Sequence, residues 1–166
     1  MILTILAAVH VVISLIGIAS GFAWLMGLLK LKWLDGWNLI FLVTTILTSA
    51  TGFLFPFHEL LPSHILGALS LVILAIAYVA RYRSRLTGGW GRTYVITAVM
   101  ALYFNVFVLV VQAFQKVPAL HDLAPTQKEP PFAIAQLAVL VIFIGLGYVA
   151  VGKFRQTTVR LASELL

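Results

Sequence analysis

Cysteine is absent, which excludes disulfides, thiolate metal sites and thiol nucleophiles. Charge is scarce. Asp, Glu, Lys and Arg make up only 10% of the chain, against about a quarter in an ordinary soluble domain, too little to cover a water-facing surface. Acids are scarcest, at five against eleven Lys and Arg, and all of them lie in loops or the tail. Paired-carboxylate catalysis is therefore poorly supported. No G-x-S-x-G elbow occurs, and the adjacency of Ser63 and His64 does not make a nucleophile–base pair. Gly88-Gly89-Trp90-Gly91 follows no strand, so it is not a phosphate-cradling loop. The net charge of +6 does not indicate nucleic acid either. The basic residues lie between apolar segments, where orientation in a membrane explains them.

What the chain has in abundance is apolar length. Hydrophobic residues are 62% of it and fall in five runs, at 2–29, 38–55, 63–80, 93–115 and 132–152. Each is long enough to cross roughly 30 Å of hydrocarbon as a helix. The expected fold is all-α, a single five-helix transmembrane domain over 1–166. The first run has no basic leader and no small-residue cleavage signal, and it exceeds a signal-peptide core, so it is expected to be retained.

Local patterns refine this outline. Gly17 and Gly21 form a GxxxG, which lets a neighbouring helix approach closely. Thr44, Thr48 and Thr51 share one helix face, expected to pack on other helices or to bond back to its own carbonyls. Asn105 and Gln112 share another face, and an amide inside an apolar helix needs a partner. Pro62 and Ser63 mark a helix start, and Thr126 to Glu129 has capping-box spacing before the last run.

With five spans the loops alternate sides. Lys30, Lys32, Arg81, Arg83, Arg85, Arg92, Lys153, Arg155 and Arg160 then fall on one side, and only Lys116 and Lys128 on the other. The positive-inside rule places the N-terminus outside and the C-terminus in the cytoplasm, in a bacterial-type inner membrane. Trp24, Trp33, Trp37 and Trp90 map to the cytoplasmic end, as an interfacial belt would.

The outer end collects the remaining chemistry, centred on the turn 54–64. His58, Glu59, His64, His121, Asp122 and Glu129 belong to it, with His10, Thr51, Ser70, Gln112 and Gln136 toward the same level. A polar pocket that binds a cofactor or small ligand from the outer side is expected there. Its most concrete version is b-type haem for electron transfer. His10 and His64 would be axial ligands, and Asn105, Gln112 and Gln136 would orient the guest. A zinc or copper ion held by His58, His64 and His121 with Glu59 or Asp122 is a second version. A small-solute or ion path in an oligomer is a third, although no charge lies mid-span. Against these stands an accessory or scaffold subunit of a larger membrane complex, with interfacial histidines and helix-knitting amides. The bilayer is a partner in every version.

Overall fold

The computed structural model describes residues 2–55 and 62–163 and contains only helices among them. Helix α1 is Ile2–Leu29, α2 is Asp35–Gly52 and α3 is Pro62–Tyr78. The last continues into a π-helical turn, Val79–Arg83. Then follow α4, Trp90–Lys116, a one-turn α5, Pro118–His121, and the long α6, Pro130–Ser163. The stretches Leu3–Leu29, His64–Arg83, Trp90–Lys116 and Pro130–Thr157 are long and apolar enough to cross a membrane. Helix α2 is not among these four, because Asp35, Asn38 and its Thr and Ser residues dilute its hydropathy. His58 and Glu59 lie outside the described residues.

Helix ends follow local chemistry. α1 stops in a Schellman arrangement, with Lys32 N–H on the Gly27 carbonyl at 2.9 Å and Leu31 N–H on Leu28 at 3.0 Å. Leu31 takes the left-handed position that glycine usually fills, at φ 58°. α2 begins at Asp35 rather than 38, since an acid in the first turn suits the helix dipole. α6 begins with Pro130 and Pro131, which have no N–H to leave orphaned. It continues beyond 152 as a helix of more polar and basic residues. α5 starts with Pro118 at its N-terminus, inside what the sequence suggested was open loop.

The helices surround α4, which touches α1, α2, α3 and α6. α1 lies between α2 and α6, and α2 between α1 and α3. Among the described residues α3 and α6 do not meet. Gly21 justifies the GxxxG reading. A Cβ there would stand 2.6 Å from Leu102 Cδ1 and 2.8 Å from Phe41 Cδ2, so α1 approaches both α2 and α4 as only glycine permits. The apolar core is uneven along the bundle. Trp24, Leu28, Phe41, Leu74, Tyr94 and Leu102 are buried toward the basic end. The other end buries Ser49, His64, Ser70 and Gln136.

Candidate functional site

At the histidine end, His10 is half-buried on α1 and meets α2. Its Nδ1 lies 2.9 Å from Thr51 Oγ1. The Thr51 hydroxyl also donates to the Leu47 carbonyl at 2.7 Å. A hydroxyl has one hydrogen, so with that hydrogen on Leu47 the His10 bond requires Nδ1–H as donor, and Nε2 keeps its lone pair. Phe55 stands edge-on to the imidazole, with centroids 5.4 Å apart. His64 is buried at the start of α3, against the Phe53 ring at 6.0 Å. Helical residues step about 100° each, so Thr51 faces away from Phe53, which caps α2 in helical backbone. The two histidines therefore pack on different faces of α2, and α1 and α3 do not touch among the described residues. His121, the last residue of α5, and Asp122 after it are exposed. Among the described residues no three His, Asp or Glu gather as metal ligands, and His58 lies outside them.

The polar residues inside the helices find partners across seams. Asn105 Nδ2 donates to Thr45 Oγ1 at 3.1 Å, joining α4 to α2 beside Gly17. Ser49 donates to Ser70 at 3.1 Å, joining α2 to α3. Gln136 Nε2 donates to the Phe107 carbonyl at 3.2 Å, joining α6 to α4, while its Oε1 is buried without a partner. Gln127 Nε2 bonds the Val111 carbonyl one turn further on, at 2.9 Å, and so pins the long loop to α4. Gln112 is half-buried on α4. Thr44 bonds back to the Ile40 carbonyl at 2.6 Å, as its residue type allows.

The long loop closes on Glu129. Desolvation alone would raise its carboxyl. Hydrogen bonds from the Thr126 hydroxyl and from the backbone at 129, 126 and 128 outweigh that and hold it below the usual carboxylate range. The Thr126–Glu129 pair thus folds the loop ahead of α6 instead of lying within its first turn.

The opposite end holds a constellation that sequence reasoning treated only as a basic turn. Arg81, in the π-helical turn, forms an ion pair with Asp35 at the start of α2. Its guanidinium carbon lies 5.3 Å from the Trp33 ring centroid, 5.4 Å from Tyr82 and 5.5 Å from Tyr94. Trp33 donates its indole N–H to the same Asp35 oxygen at 2.7 Å. Tyr94 is fully buried, donates its hydroxyl to Asn38 and packs edge-to-face with Trp24 at 5.9 Å. Phe154 of α6 closes on Trp33 at 5.6 Å and fills the space over Gly91, where a Cβ would stand 2.4 Å from its ring. The cluster ties α2, α3, α4 and α6 together at one end. The sequence signal was present, as Trp33, Asp35, Arg81 and Tyr82 all sit near helix ends. Their pairing was not legible, because Arg81 and Asp35 are 46 residues apart.

A cavity of about 280 Å³ opens beside this cluster, lined by Trp33, Asp35, Arg81, Tyr82, Arg85 and Leu86. A second, of about 560 Å³, lies between α4 and α6 near Arg92, Tyr148 and Lys153. Comparison of the chain with protein-family models, curated proteins and solved structures finds no match.

Proposed function

We propose that this chain is a five-span protein of a bacterial-type inner membrane, with its N-terminus outside and its C-terminus cytoplasmic. In this reading it binds a cofactor or small ligand at its histidine end. The observation that carries the reading is the His10–Thr51 hydrogen bond, which orients the imidazole and leaves Nε2 as a base or ligand. Haem for electron transfer is the most concrete guest. The version the geometry favours is a guest held by His10, since His64 packs on a different face of α2. Gln136, with its buried free Oε1, is the amide best suited to contact it.

The fifth span rests on the pattern of α2. It exposes Trp37, Leu39, Ile40, Val43, Ile46 and Leu47 and buries Asn38, Thr45 and Ser49. Water would not tolerate that exposed row, whereas lipid suits it, with polar residues turned inward. The orientation rests on the nine basic residues at one end against two at the other.

Two measurements test this. Because the chain has no cysteine, single cysteines at Lys32 and Ser84 can report topology with a membrane-impermeant thiol reagent. Five spans put both on the same side, and opposite sides would remove α2 from the count. Oxidised and dithionite-reduced absorption spectra, with elemental analysis and haem add-back, test the guest. His10→Ala should lose the bound guest with helix content unchanged, and full retention would refute the assignment.

A second reading, an accessory or scaffold subunit, draws on the pairs Ser49–Ser70, Asn105–Thr45 and Gln136–Phe107, already bonded within the chain. It expects His10→Ala to be silent in the isolated protein and activity to appear only with a partner.

A further inference from the structure

The cavity at the basic end has a charge and a shape that the histidine-end reading does not use. Two guanidiniums, Arg81 and Arg85, line it against one carboxylate, Asp35. The carboxylate is largely exposed and pairs with Arg81, so the second guanidinium leaves the cavity with a net positive character. Arg81 cannot swing away, because Trp33, Tyr82 and Tyr94 enclose its guanidinium. A planar guanidinium fixed by aromatic faces is prepared for an oxyanion at small entropic cost.

One buried donor points the same way. Arg81 Nε, on a residue that lines the cavity, is a buried N–H without an acceptor. A buried donor left unpaired calls for an acceptor.

The backbone is strained around the same cavity. Arg85 and Leu86 are consecutive non-glycine residues at φ 47° and 57°, and Leu31 on the neighbouring loop stands at 58°. The left-handed region is unfavourable for such residues and persists where surrounding contacts over-determine it. Here the Leu86 N–H bonds the Ala80 carbonyl at 3.0 Å, and the Ser84 N–H bonds Val79 at 2.9 Å. These bonds fold the segment back over the π-helical turn. Such turns recur at functional sites.

We propose that this cavity is an anion site that takes a phosphate group, either the headgroup of an anionic lipid or a free phosphate. Arg81 is the fixed fork and Arg85 the exposed second cation. Trp33 and Tyr82 form the rim, at the level where the apolar stretches end. The assignment is independent of any guest at His10.

The test uses the full chain in zwitterionic detergent, titrated separately with short-chain phosphatidylglycerol and with inorganic phosphate. Binding is read from tryptophan fluorescence, with Trp33→Phe to identify the reporter, and from melting temperature. Two variants remove one positive charge each: Arg85→Asn, which tolerates the left-handed backbone, and Arg155→Asn, exposed on α6 outside the cavity. Saturable phosphatidylglycerol binding that weakens roughly five- to tenfold in Arg85→Asn and less than about twofold in Arg155→Asn supports a lipid source. The same dependence with inorganic phosphate supports a free one. Absence of saturable binding of both probes overturns the site. So does binding that Arg85→Asn leaves unchanged or weakens no more than Arg155→Asn does.

Discussion

Around Trp24 and Tyr94 the helices close on large rings, with no exposure at either residue. Around His10 and His64 the same helices meet through single hydrogen bonds and through the more exposed rings of Phe53 and Phe55. The basic half gains cohesion from dispersion and from a cation enclosed by three aromatic rings. The histidine half gains it from polar pairs, which are individually weak in membrane proteins because the unfolded chain in lipid also finds partners. One end is thus an aromatic anchor. The other is held by weaker contacts, which suits the ligand end proposed above.

The largest effect should come from emptying the anchor. Trp24→Ala should cost about 3–5 kcal/mol in reversible unfolding from mixed micelles, through lost burial and the cavity left behind. Phe53→Ala, on a half-exposed ring at the other end, should cost about 1 kcal/mol. Equal losses would break the contrast. Gly21→Ala comes next, at about 1–3 kcal/mol, because its Cβ must displace Leu102 and the buried Phe41 ring. Gly52→Ala, whose Cβ meets only His10 Cε1 at 3.7 Å, should fall within about 0.5 kcal/mol of wild type in the same assay. A double-mutant cycle of Thr45→Val with Asn105→Ala should give a coupling of about 0.6 kcal/mol. A coupling several times larger would make the polar seams as structural as the aromatic anchor.

The smallest effect concerns the loop before α6. The folded-state carboxyl of Glu129 is held below its ordinary value. Its contribution to loop order is therefore complete above the unfolded carboxylate range and lost as pH falls through the folded value. Amide exchange at Lys128, corrected for intrinsic rates, should lose protection on acidification, because its N–H bonds Glu129 Oε2 at 3.0 Å. Glu129→Gln should flatten that pH dependence, and an unchanged profile would remove Glu129 as its cause.

Much of the scaffold was readable in one dimension. Apolar runs separated by basic turns give helices, and Gly17 and Gly21 announced a close helix approach. Asn105 announced a need for a partner, and Thr45 meets it. His10 showed no polar partner in its own helix, and its Thr51 lies 41 residues away. α5 and the extension of α6 were missed because neither carries an apolar run. The π-helical turn was missed because one extra residue per turn leaves no compositional trace.

Sequence by itself determined that the chain is helical, that it suits lipid, and that its basic residues gather at one end. Those properties follow from backbone hydrogen bonding and transfer energies, which are sums over local segments. Tertiary structure alone decided that Arg81 stands among Trp33, Tyr82 and Tyr94, and that Thr51 orients His10. It also decided that His10 and His64 meet different faces of α2. Those outcomes depend on how each helix is rotated about its axis. Rotation is set by packing against every neighbour at once, and no single segment encodes it.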